Sequence, residues 1–188
     1  MSAGTLTVKR ATIADLAREP GKAELIDGRI VRYMATGHLP NVIAGRIFRK
    51  LADYADTTVR GVAYTDNIGF TVGELQSGRE SFAPDVAYYD GLLPTNRMKF
   101  VLGTPNLAVE VRSDGDYGPA AERQMAAKRT DYFEAGTAVV WDVDPVSREI
   151  RSYLASAPNQ PVIFAAGSQA NAEPAVPGWV IAVSWVMS

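Results

Sequence analysis

Leu107-Ala108-Val109-Glu110-Val111, a polar turn, a helix-forming run from Pro119 to Ala135, and then Ala138-Val139-Val140-Trp141-Asp142-Val143: this stretch decides the fold. The two apolar runs are short and rich in β-branched residues, as strands are. Between them, Pro119 suits a first helical position and Gly136 a stop. Two strands joined by a helix of this length lie parallel, through a right-handed crossover.

Working outward, Thr12 to Glu19 reads as a short helix capped by Thr12 and ended by Pro20-Gly21. Asp27-Gly28 between two apolar runs is a strong hairpin signal and predicts strands near residues 23–26 and 29–35. From Leu39 to Tyr54, Ile43, Ile47, Leu51 and Tyr54 recur at helical spacing. Arg46, Arg49, Lys50 and Asp53 take the other face, which is either solvated or laid on a phosphate backbone. Strand-like runs follow at 58–64, 68–72 and 82–89, then a loop at 90–105, two weaker strands at 150–154 and 161–165, and a last one introduced by Pro177-Gly178-Trp179. With no repeat, linker or low-complexity tract, residues 1–188 are expected to form one domain of α/β (α+β) type.

The bulk numbers narrow the function classes. Hydrophobic residues make up 47% of the 188, enough for a core, so disorder is not expected. The absence of cysteine removes disulfides, thiolate metal sites and thiol nucleophiles, and agrees with a cytoplasmic setting. Nothing near the N-terminus reads as an apolar leader, and no run approaches the roughly 20 apolar residues of a membrane helix. His38 is the single histidine, which excludes multi-histidine metal sites; it is expected to cap or precede its helix. Neither a glycine-rich phosphate loop nor a G-x-S-x-G turn is present, so a nucleotide cofactor and serine-hydrolase chemistry are not expected. A net charge of −2 without a basic run argues against bulk electrostatic binding of nucleic acid, though not against a local groove.

Two residues break the apolar pattern. Glu110 lies inside a strand that the next helix should cover, where an unpaired carboxylate is costly. Lys128 stands alone in the helix stripe Ala121, Met125, Lys128, Tyr132 and Ala135. Packed back on the sheet, that helix would make Glu110 and Lys128 partners; otherwise Glu110 faces solvent and Lys128 snorkels out. Pro84-Asp85 adds a second carboxylate if its strand neighbours that of Glu110. Two carboxylates and one lysine suit a hard cation such as Mg²⁺, or form a structural ion pair.

Pro84-Asp85 followed 25 residues later by Glu110 resembles the PD-(D/E)XK nuclease superfamily. Where the simplest form of that motif has a lysine, two positions past the glutamate, this chain has Arg112. It is more similar to the bacterial Uma-two group of restriction-endonuclease-like proteins, in which the lysine sits on the next helix. The likeness runs through Glu24-Leu25-Ile26-Asp27-Gly28, His38, Pro84-Asp85-Val86-Ala87, Leu107 to Ser113, Lys128 with Tyr132 and Gly136, Val140 to Pro145, and Pro177-Gly178-Trp179. It departs after Ser113, where Asp114-Gly115-Asp116-Tyr117-Gly118 lengthens the turn before the helix.

The resemblance implies a restriction-endonuclease-like mixed central sheet flanked by helices, with an N-terminal hairpin. It implies Asp85 and Glu110 as metal ligands with the Val111 carbonyl as a third, Lys128 as the motif lysine, and Glu24 as an accessory carboxylate. The implied activity is Mg²⁺-dependent hydrolysis of DNA phosphodiester bonds, with Mn²⁺ as a substitute. The alternatives are a catalytically silent module binding nucleic acid or a protein, and an enzyme acting on RNA or a nucleotide fragment. Asp142 and Asp144 are read as structural. A homodimer is compatible with cutting two strands, and the Trp179 and Trp185 tail could serve as its contact or as core.

Overall fold

The computed structural model describes residues 10–188; residues 1–9, including Lys9 and part of the stretch read as having no leader, lie outside it. In chain order the elements are α1 (Ile13–Leu16), β1 (Ala23–Ile26), β2 (Arg29–Arg32), α2 (His38–Thr58), β3 (Val62–Tyr64), β4 (Phe70–Thr71), β5 (Ser81–Phe82), β6 (Val86–Tyr89), β7 (Val101–Leu102) and β8 (Leu107–Val111). There follow α3 (Pro119–Glu134), β9 (Val139–Asp144), β10 (Glu149–Leu154), β11 (Ala157–Ala165), β12 (Gln169–Asn171), β13 (Val180–Ala182) and α4 (Val183–Val186).

The central sheet runs β11-β10-β9-β8-β6-β3. Within it, β8 and β9 pair in parallel, with Glu110 opposite Asp142, and α3 is their crossover. The other pairings in this sheet are antiparallel, which makes the sheet mixed.

Strand alternation sorts the two faces. Leu107, Val109, Val111, Val139, Trp141 and Val143 pack with Ile43, Ile47 and Leu51 of α2. Ala108 and Val140 face the other way and pack with Phe82 and Tyr132, the latter on α3. Glu110, Arg112 and Asp142 share the parity of Ala108 and Val140, so the side chains that carry charge lie on the α3 face. The basic stripe of α2 is on the opposite side: Arg49 and Lys50 lie over the Trp185 ring, and Arg46 donates to the Val186 carbonyl. Trp179 stacks on Trp141 within the core, so the tail's aromatics pack inside the chain.

The hairpin turn has Asp27 and Gly28 both at positive φ, 49° and 64°, the conformation a two-residue type I′ turn needs. A side chain at Gly28 would also strike Arg10. Bonds from Leu25 N–H to Ser81 Oγ (2.7 Å) and from Glu80 N–H to the Leu25 carbonyl (2.9 Å) dock the hairpin on β5.

Several boundaries differ from the sequence reading. Helix α1 is shorter than 12–19, the strand expected at 161–165 begins at Ala157, and β12 was not expected. The second hairpin strand ends at Arg32 rather than residue 35. The run from residue 58 does not begin as a strand. There α2 continues to Thr58, with the Thr57 and Thr58 hydroxyls donating back to the carbonyls of Asp53 and Tyr54, until Val59 turns left-handed. The expected strand 82–89 is split at Ala83–Asp85, because Pro84 has no N–H and the Ala83 N–H goes to Glu24 Oε1 (2.9 Å). The loop at 90–105 contains β7, which pairs in parallel with β4.

Ile47 is fully buried between α2 and the sheet. Ile47→Ala should lower unfolding free energy in urea by about 2–5 kcal/mol. A loss below about 1 kcal/mol would mean that this helix face is not core.

Candidate active site

Above the α3 face, between that helix and the N-terminal hairpin, lies a cleft of about 680 Å³. Lys22, Asp85, Glu110, Lys128 and Tyr132 line it. The sheet places Asp85 beside Glu110, since the Asp85 N–H bonds the Val109 carbonyl at 3.1 Å where β6 enters alongside β8. Asp85 is then fixed by its own side chain, whose Oδ2 accepts from the Val111 N–H at 2.8 Å.

Lys128 comes down from α3 and joins two acids. Its Nζ is 2.8 Å from Glu110 Oε1 and 3.1 Å from Glu24 Oε1. Two tyrosines complete the enclosure. Tyr132 donates to Glu110 Oε1 (2.7 Å) and Tyr33 to Glu24 Oε2 (2.6 Å), and both rings lie about 6 Å from the ammonium, within cation–π range. The sequence expectation that a lone lysine in the α3 stripe answers a lone glutamate in β8 therefore holds in the geometry. Glu24, Asp85, Glu110 and Lys128 are brought together.

The groups titrate in different directions. Burial would raise the Glu24 carboxyl, but Lys128 and Arg79, with bonds from Tyr33 and Ala83, bring it down to about 2. Burial dominates at Glu110, and the negative Asp85 adds to it, so this carboxyl is raised despite Lys128. Burial opposes charge on Lys128, yet Glu110 and Glu24 outweigh it and hold the amine above its ordinary value. Lys128 is thus an ammonium at working pH, able to steady negative charge but not to accept a proton.

Sequence reasoning missed two cations here. Arg79 is buried, donating through Nε to Asp131 (2.7 Å) and pairing through Nη1 with Glu24, so it ties hairpin to helix. Lys22 reaches Asp85 Oδ1 at 2.5 Å and Asp66 Oδ1 at 2.7 Å. Arg79 sits in a Gly-Arg-Glu turn with no local pattern to mark it. Lys22 had one available signal, as a rare lysine two residues before Glu24.

Other singled-out residues lie outside the cluster or serve the frame. Arg112 grips Asp142 with two bonds of 2.7 Å and also pairs with Glu122 on α3, so it fastens the crossover helix to the sheet. In the turn at 114–118, Asp116 accepts from the Ser113 N–H and Tyr117 donates to Asp144. Asp144 also caps the turn at Val146 and Ser147. His38 does not cap or precede α2 as expected but is its exposed first residue, and Gly37 is the cap.

The cluster has the donors for a hard cation. Among the described residues no group of three or more His, Cys, Asp and Glu side chains forms a metal cage. The protein supplies two carboxylates, Asp85 just before β6 and Glu110 on β8, and the Val111 carbonyl, which shares the strand edge of its N–H. Mg²⁺ is commonly held by one or two carboxylates with waters completing its shell. Charge agrees: Glu24, Asp66, Asp85, Glu110 and Asp131 face only Lys22, Arg79 and Lys128.

The arrangement is thus a mixed sheet with one acid on β8 and another at the entry of β6, beneath a crossover helix that supplies an amine. A crystal structure from Anabaena variabilis described as "a putative nuclease belonging to DUF820" is similar in fold, with a TM-score of 0.73 at 14% identity, covering 94% of this chain and 97% of that one. Residues 11–184 match the family Uma2, described as "Putative restriction endonuclease", and the chain belongs to that family. No curated protein matches.

Glu24 sets a pH dependence with a defined sign. Its folded value lies below the ordinary 4.5, so its stabilising contribution is full above about pH 4.5 and is lost as pH falls through about 2. The gap in urea stability between the native protein and Glu24→Gln should shrink steadily from pH 5 toward pH 2.5. A gap that stays constant over that range would contradict the pairing.

Proposed function

We propose that the protein is a divalent-metal-dependent endonuclease that hydrolyses DNA phosphodiester bonds in the cleft between α3 and the hairpin. One observation carries this reading: the Lys128 ammonium is held between Glu110 and Glu24 beside Asp85, in an open cleft. Such an ion-pair network adds little net stability once desolvation is counted, so its place at a cleft is better explained by chemistry. The Uma2 membership and the nuclease-type fold support the same reaction class.

Asp85 and Glu110, with the Val111 carbonyl, would hold Mg²⁺, or Mn²⁺ in its place. Once bound, the cation supplies Lewis acidity toward the phosphate and acidifies a water. Lys128 contributes a fixed positive charge where negative charge gathers on the phosphoryl oxygens. Glu24, kept ionised by Lys128 and Arg79, is fully buried with both oxygens bound by protein donors, so its part is to orient Lys128 and not to position a water as the family likeness implied. Tyr132 holds the Glu110 carboxyl group in place. No described helix is long and apolar enough to cross a membrane, and a cytoplasmic setting is part of this proposal.

With Mg²⁺ or Mn²⁺ and a panel of supercoiled, linear and single-stranded DNA, cleavage is the expected outcome. Asp85→Asn, Glu110→Gln and Lys128→Met should each reduce it by about 100-fold or more. No cleavage of any DNA form, or unchanged rates in the Asp85 and Lys128 variants, would refute the proposal. Cleavage of RNA alone would replace the substrate and keep the site.

A further inference from the structure

Lys22 lies outside the sheet and helix motifs that build the site, yet its side chain is as enclosed as that of Lys128, 15% against 17% exposed. Its partners differ in kind. Asp85, 13% exposed, lies in the cleft, whereas Asp66, 36% exposed, lies at the turn before Asn67. That turn is well made: Asn67 is left-handed at φ 69°, and its N–H donates to Asp66 Oδ1 at 2.8 Å.

The contacts on Asp85 divide its two oxygens. Oδ2 is bound by the Val111 N–H, a neutral donor that the strand fixes in position. Oδ1 is covered by the Lys22 ammonium at 2.5 Å. Oδ1 is therefore the oxygen with which Asp85 would meet a cation, and it already carries one. Two positive charges cannot share that oxygen at contact distance without strong repulsion. A lysine stem has four flexible carbons, so its ammonium can leave one acceptor by a change of rotamer. Asp66 Oδ1, 2.7 Å away, is an acceptor in place to receive it.

Resting on the reading that Asp85 and Glu110 hold the cation, we infer that Lys22 competes with the divalent ion for Asp85 Oδ1. Asp66 is the acceptor that keeps the displaced ammonium. The Lys22–Asp66 pair thereby sets the metal affinity of the site. Lys22 is a positioning residue, since it acts on the metal ligand and not on the substrate.

Manganese binding to the full chain, measured by titration calorimetry and by the electron paramagnetic resonance of free Mn²⁺, tests this without an activity assay. Lys22→Met should bind Mn²⁺ roughly tenfold tighter or more, the size of an ordinary coupling between ligands that exclude each other. Asp66→Asn should bind more weakly than the native chain, by roughly threefold or more, because Lys22 then has only Asp85. In the Lys22→Met background, Asp66→Asn should change nothing.

An unchanged or weaker affinity in folded Lys22→Met overturns the inference. So does an Asp66→Asn loss of equal size in both backgrounds, which is simple loss of a nearby negative charge. If Lys22→Met does not fold, Asp66→Asn at the half-exposed turn decides alone, and unaltered affinity there overturns the inference. If the native chain binds Mn²⁺, Asp85→Asn abolishes binding and Lys22→Met is without effect, the inference fails while the site reading stands. If neither the native chain nor Lys22→Met binds Mn²⁺, both fail together.

Discussion

The Lys128 ammonium between Glu110 and Glu24 is the contact on which the rest of the structure turns. It is made by three elements far apart in sequence: β8, the crossover helix α3 and the N-terminal hairpin. Each acid would be costly where it stands without a cation, and the lysine would be costly without the acids. One consequence is that helix and hairpin can close over the sheet only in a register that brings these groups together. The cleft between them is thus a product of charge pairing as much as of apolar packing.

Two arginines make this arrangement tolerable. Arg79 links Glu24 to Asp131 below the cleft, and Arg112 links β8 to β9 and α3 at its end. With the frame held by guanidinium forks, Lys128 and Lys22 supply the ammonium groups that meet Glu110 and Asp85 in the cleft. Removing one partner from such a network leaves a buried charge uncompensated, while the intact network adds little net stability. Charge of this kind in a cleft is therefore better explained by chemistry than by stability. The opposed titration of Glu24 and Glu110 fits that view, since sites that handle protons and ions drive equivalent groups apart.

Much of this was legible from residue pattern because the signals were local. Asp27-Gly28 demanded left-handed backbone at both positions and obtained it. The β-branched runs around α3 fixed the parallel pair, and two breaks in polarity, Glu110 in the first run and Lys128 on α3, pointed to the candidate site. Arg79 and Lys22 were not legible, because their partners, Glu24, Asp131, Asp85 and Asp66, are set by tertiary packing and by no spacing in the chain. The split at Pro84 was half legible: proline forecast an interruption, but not that the Ala83 N–H would turn to Glu24. Arg112 shows the limit from the other side. It occupies the motif position of a lysine, yet its guanidinium is taken up by Asp142 and Glu122.

The most direct measurement is a crystal structure of the protein with Mn²⁺, with the ion located by its anomalous scattering. The account predicts a peak between Asp85 and Glu110, with Lys128 Nζ still within hydrogen-bond reach of Glu110 and Glu24. Lys128 turned out to solvent, or manganese bound elsewhere with none at these two carboxylates, would contradict it.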